Sequence, residues 1–301
     1  MFRAKSLLSL ITGLITFATA QADFALVGYL PEYRVAKITP KQVQGVTDII
    51  YFSLKPEADG KLASNVIKPD VLKKLQTLQS ATKCKLLICV GGWGRSEHFP
   101  ALAANPASRK RLISQMLAYC LKNGFDGIDY DWEHPKNEKQ IAGYQNLLVE
   151  TSAAFHAKKL RVTVAQASWQ NIGKKSYQAI DRIHLMSYDH AFPQSTLAKS
   201  QADVGSLIKW GCPPQKIALG VPFYGRNKLR QSRTYAQLVD GSKLKPDTDI
   251  IDGFAFNGKA TLSKKINLAK THQLAGLMVW ELGQDSPDKN KSLLQQIQSQ
   301  R

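Results

Sequence analysis

Residues 125–135 read FDGIDYDWEHP, which places four carboxylates, Asp126, Asp129, Asp131 and Glu133, within eight positions of a chain whose formal net charge is +18. Read as a β-strand, this stretch turns Asp129, Asp131 and Glu133 to one face and Ile128, Tyr130 and Trp132 to the other. Acids at alternate positions stand roughly 7 Å apart, and charges held that close cannot all ionise without cost. At least one carboxyl is therefore expected to stay protonated near neutral pH, in the state of a general acid. A calcium loop also opens with alternating Asp residues, but it needs glycine at its sixth position and polar residues between the acids. Ile, Tyr and Trp fill those places here, and they suit a strand buried on its far side.

Working outward, apolar runs recur along the chain at Phe24–Leu30, Thr47–Leu54, Lys85–Val90, Phe125–Asp131, Leu160–Ala167, Ile180–Tyr188, Lys216–Pro222 and Leu274–Trp280. Amphipathic stretches separate them. Pro69 and Asp70 open one helix, Ala107–Leu121 puts Leu112, Met116 and Leu117 on one face, and Thr261–His272 forms another. Strand and helix in alternation read as parallel α/β architecture, and eight strands close a (β/α)8 TIM barrel.

The acidic stretch carries more than a fold. DGIDYDWE fills every acidic position of the DxxDxDxE signature and resembles the family 18 glycoside hydrolases, the chitinase family. The resemblance implies that the stretch is the fourth strand of a barrel, with Glu133 at the C-terminal mouth where barrel active sites lie. Asp126, Gly91 and Gly92 would be structural parts of the motifs. Other elements are similar to the family's as well. Gly28-Tyr29-Leu30-Pro31 resembles GYxP, which would put Tyr29 on the cleft floor. Val90-Gly91-Gly92-Trp93 resembles SxGGW with Cys89 in place of serine, and Trp93 would stack on a sugar at the leaving-group side. Met186-Ser187-Tyr188-Asp189 resembles the end of the sixth strand, where the Met packs under the sugar and Tyr and Asp bond its acetamido group. Val221-Pro222-Phe223-Tyr224-Gly225-Arg226 is close to GxPxYGR, and Trp280 would form the base of the cleaved-sugar subsite, with a cis Trp280–Glu281 bond. In the second strand the pattern departs from the family's, leaving open whether Tyr51 or Phe52 faces the sugar. Trp169, after the fifth strand, is a further candidate sugar platform. Residues 227–273 must also hold the seventh helix, so the large α/β insertion that walls a deep groove in many chitinases is expected to be missing.

The activity implied is hydrolysis of β-1,4 linkages in chitin or chitooligosaccharides by substrate-assisted retaining catalysis. Glu133 would be the acid and base, Asp131 the partner of the acetamido N–H, Asp129 a sharer of its proton, and Tyr188 the holder of the acetamido oxygen. Two other readings stand beside it. One is an endo-β-N-acetylglucosaminidase acting on N-glycan or peptidoglycan, and the other a non-catalytic chitin-binding lectin, since fold alone does not fix activity.

The first residues have the layout of a secretory signal: Arg3 and Lys5, an apolar run from Leu7 to Phe17, then small residues permitting cleavage after Ala20 or Ala22. Residues 1–20 are read as that signal and 24–301 as a catalytic domain, giving a secreted or periplasmic protein. The apolar run is too short for a membrane span. The basic balance favours anionic surroundings such as cell walls, but the lysines are scattered in pairs rather than gathered in a tract, and no nucleic-acid role is expected. Cys84, Cys89, Cys120 and Cys212 read as buried thiols. No CxxC pair occurs, so no metal and no cofactor are expected. The expected partner is chitin or another GlcNAc-containing polysaccharide, bound by a monomer.

Overall fold

The computed structural model describes residues 24–62 and 67–301. The expected signal, residues 1–20, lies outside the described residues. Eight parallel strands close a barrel: β1 (Ala25–Pro31), β2 (Asp48–Leu54), β3 (Lys85–Gly91), β4 (Gly127–Asp131), β5 (Arg161–Ala167), β6 (Arg182–Met186), β7 (Ile217–Pro222) and β12 (Gly276–Trp280). The helices are α1 (Glu32–Val35), α2 (Pro69–Thr82), α3 (Phe99–Ala104), α4 (Pro106–Asn123), α5 (Glu138–His156), α6 (Lys174–Ala179), α7 (Leu197–Lys209), α8 (Tyr235–Val239), α9 (Lys259–Thr271) and α10 (Leu293–Gln300).

Both faces of each strand are covered, which is why the strands read as nearly continuous apolar runs. Alternation sorts their residues into two cores. Val27, Ile50, Leu87, Cys89, Ala218 and Met278 fill the barrel interior. Leu26, Ile49, Leu86, Ile88, Ile128, Tyr130 and Val164 pack outward under the helices. The same alternation decides the second strand: Tyr51 is buried in the outer layer, and Phe52 belongs to the inner one at the mouth. Helix ends follow their local chemistry. In α4, the Asn105 side chain accepts from Ala107 N–H at 2.8 Å, Pro106 takes the first position, and Gly124 closes the helix at φ 74°.

The end of the barrel away from the mouth is tied by charge. Buried Asp48 on β2 meets Arg161 Nη1 at 2.7 Å and Arg182 Nη1 at 3.2 Å, from β5 and β6. Asp126, just ahead of β4, accepts from Leu86 N–H at 2.9 Å and pairs with Lys85 Nζ at 3.0 Å. That carboxylate therefore fixes β4 beside β3, which is a structural use. All four cysteines are free and buried, and burial pushes the Cys120 thiol up to about 12, which leaves it unreactive.

Between β7 and β12 the chain forms a small antiparallel sheet in the order β10-β11-β8-β9, from β8 (Tyr224–Arg226), β9 (Ser232–Thr234), β10 (Ile250–Ile251) and β11 (Phe254–Ala255). The large insertion is missing, as expected. What stands in its place is this low ledge of two- and three-residue strands carrying Tyr224 and Arg226.

Candidate active site

The carboxylates of β4 climb toward the mouth, and their surroundings change at each step. Asp129, fully buried, is satisfied on both oxygens: Tyr29 Oη donates to Oδ2 at 2.8 Å, Thr163 Oγ1 to Oδ1 at 2.6 Å, and His184 Nδ1 lies 3.2 Å from Oδ1. Its oxygens face these three residues, and no hydrogen bond joins it to Asp131.

Asp131, 3% exposed, has the opposite surroundings, with Oδ1 buried and unpartnered. Burial, then the Glu133 carboxyl, then Asp129 push it well above the usual carboxylate range. Glu133 lies just beyond the strand, its side chain 14% exposed. Burial and the charge of Asp189 raise it to about 7, against a smaller opposing pull from the Trp93 backbone N–H. A carboxyl of that kind is protonated across the acidic range and still able to lose its proton near neutrality, as a general acid requires.

The β3 and β4 ends are laced together. Gly92 N–H donates to Asp131 O at 2.6 Å, and the Ser96 hydroxyl accepts from Glu133 N–H at 3.0 Å while lying 3.0 Å from Asp131 O. Gly91 and Gly92 have φ of 104° and 102°. A Cβ on the first would strike the Asp131 carbonyl, and one on the second the Phe52 ring. The glycines are there because backbone and ring come that close.

Opposite this edge, Trp280 packs edge-to-face on Phe52 at 4.8 Å and tilts over Tyr29 at 5.7 Å. Tyr29 is 1% exposed and lies beneath the floor rather than on it, because its hydroxyl is drawn down to Asp129 and His184. The Trp280–Glu281 peptide is cis. Met186 packs against the barrel-interior core. Past β6, Tyr188 is nearly buried, its hydroxyl set 3.8 Å from the Met278 sulfur. Asp189 accepts from Tyr224 Oη at 2.6 Å and lies 3.2 Å from Arg226 Nε. Trp93 and Trp169 stand on the rim at 81% and 66% exposure.

Motif reading missed His184, Thr163 and Ser96, and left Phe52 open against Tyr51. The first two sit at inward positions of β6 and β5, which gives a faint signal. Ser96 had none, since its role exists only once β3 and β4 lie side by side.

The comparisons agree with this geometry. The family model described as Glycosyl hydrolases family 18 matches residues 25–285. Chitinase 1 of Aphanocladium album is 26% identical over 78% of this chain and 75% of its own. The class V chitinase of Arabidopsis thaliana is 24% identical over 94% and 93%. Among solved structures, the GH18 chitinase ChiB from the chitin utilization locus of Flavobacterium johnsoniae superposes with a TM-score of 0.81 at 25% identity, covering 92% of this chain and 93% of that one. The family match over most of the chain and the acidic ladder of β4 lead to one conclusion: this chain belongs to glycosyl hydrolase family 18.

Proposed function

We propose that the protein hydrolyses β-1,4 linkages in chitin or chitooligosaccharides, with Glu133 as general acid and then base and the substrate's own acetamido group as nucleophile. The observation that carries this reading is the pairing of Glu133, raised to about 7, with Asp131, whose buried Oδ1 has no partner among the described residues. An orphaned buried acceptor is costly, and the acetamido N–H of a bound sugar is the donor it lacks.

In the proposed cycle Glu133 protonates the glycosidic oxygen while the acetamido oxygen attacks the anomeric carbon, giving an oxazolinium ion. Asp131 accepts from the acetamido N–H and steadies the positive charge. The Tyr188 hydroxyl, held near only a thioether sulfur among the described residues, is free to hold the acetamido oxygen in line. Water, deprotonated by Glu133, opens the ring with retention. Trp280 supplies the apolar face under the cleaved sugar, with Phe52 bracing it, and Trp93 a face beyond the bond.

The test is Glu133→Gln on a chitin hexamer. Turnover is expected to fall by about 10²–10⁴-fold, while the hexamer still binds in a fluorescence titration; turnover near the wild-type rate would overturn the assignment. Cellohexaose, which lacks the acetamido group, is expected to remain intact. N-glycan and peptidoglycan run beside chitin separate the substrates within the class. Export by way of residues 1–20 is part of the same proposal and is read by the N-terminus of the protein recovered outside the cell.

A further inference from the structure

The residue after Glu133 plays no part in the cycle above, yet it lies against the acid. His134 Nε2 is 3.6 Å from Glu133 Oε2, with 21% of the His134 side chain exposed. Its other nitrogen, Nδ1, is buried and has no partner at hydrogen-bond distance among the described residues, with the Gln170 side chain nearby. With its proton on Nε2, the neutral ring presents an N–H to Glu133. Burial holds the imidazole below its ordinary value, against a smaller opposing pull from the Gln170 side chain.

The ring is also held in place. Trp169 packs edge-to-face against it, centroids 4.8 Å apart. The Gln170 amide donates to Pro135 O at 2.8 Å, which staples the turn after β5 to the segment that carries His134. The titratable groups facing Glu133 are Asp131 from β4, which Glu133 helps to push up, and Asp189 from the turn after β6, whose charge opposes the ionisation of Glu133. The groups around the imidazole are Glu133, Trp169 and Gln170.

We propose that His134 is a positioning residue for Glu133, its Nε2–H donating to the carboxylate left behind when the acid gives up its proton. The inference rests on Glu133 being that acid. In the step itself the Glu133 O–H bond breaks, the proton goes to the glycosidic oxygen, and the electron pair stays on the carboxylate, where Nε2–H meets it together with the Trp93 N–H. His134 keeps its own proton throughout. Hydrogen bonds of this kind are often long in the empty enzyme and tighten with substrate bound.

The experiment measures kcat and KM for a chitin oligosaccharide against pH in the wild type, His134→Phe and His134→Gln. Phenylalanine keeps the ring against Trp169 and removes the N–H; glutamine returns an N–H near the place of Nε2. A donor to the carboxylate lowers its pKa, so losing it raises that value. In the Phe variant the alkaline limb of kcat/KM is expected to move to higher pH, with kcat down roughly 3- to 10-fold and KM little changed, and the Gln variant is expected to restore both. If the Phe variant does not fold, His134→Met is the second variant without a donor. A donor-free variant with the wild-type pH profile, or a Gln variant as impaired as it, would overturn the proposal. Glu133→Gln is run alongside: retained turnover there removes Glu133 as the acid, whereas a dead Glu133→Gln with an unmoved donor-free profile removes His134 alone.

Discussion

Asp131 and Asp48 are both buried aspartates, and their neighbours push them in opposite directions. At Asp131 burial, Glu133 and Asp129 all disfavour the charge. At Asp48 burial also disfavours it, but Arg182, the Thr47 hydroxyl and Arg161 outweigh burial and leave the carboxyl below its usual range. A carboxyl whose folded pKa is raised holds its proton more tightly when folded, so it favours the folded state at low pH and costs stability as pH climbs above the unfolded value of about 4. Asp131→Asn removes that penalty. Its melting temperature is expected to exceed the wild type's by an amount that grows from acid to neutral and alkaline pH, while activity is lost. A gap that does not change with pH would mean that Asp131 is not held protonated. If Glu133 is the acid as proposed, its value of about 7 sets the alkaline limb of the activity profile: kcat/KM is expected to decline above pH 7 or so as the free enzyme loses that proton.

The turn after β3 shows how an element serves the site. Gly91 and Gly92 lie in the left-handed region, and the chain there runs so close to the Asp131 carbonyl and the Phe52 ring that no Cβ fits. Gly92→Ala combines an unfavourable φ with a clash, each worth on the order of 1–3 kcal/mol. Relief would push Phe52 away from Trp280. The variant is expected to lose about 2 kcal/mol or more in denaturant unfolding and to bind chitin oligosaccharides more weakly; wild-type stability would show that the turn has slack. Asp189, past the end of β6, is also at positive φ (61°), and its carboxylate meets Tyr224 and Arg226 on the ledge.

Across the whole molecule, the far end of the barrel is tied by Asp48 and its arginines, while at the mouth Asp131 and Glu133 have no Lys or Arg partner among the described residues. Asp48 joins three strands through two arginines, and breaking such a buried cluster leaves guanidinium groups uncompensated. Asp48→Ala is expected to cost about 3–5 kcal/mol, read by urea unfolding at neutral pH. Because its folded pKa is lowered, Asp48 contributes stability that is present above the unfolded value and lost as pH falls. The difference between wild type and variant should shrink on acidification, and a constant difference would contradict the account.

The amino-acid sequence by itself determined the eight strands, the alternation that divides their residues between two cores, and the place of Glu133, because period-two patterning and a local acidic ladder are properties of neighbours in the chain. It also named Trp93, Tyr188, Asp189 and Trp280 as residues of the mouth. The tertiary structure decided what each acid meets. His184, Thr163 and Tyr29 reach Asp129 from other strands, and so leave Asp131 without a partner. Phe52 rather than Tyr51 turns inward, and Tyr29 goes below the floor. These outcomes depend on contacts between residues far apart in the chain, and no local pattern encodes them, because a pKa and a hydrogen bond belong to the space around a side chain and not to its position in the sequence.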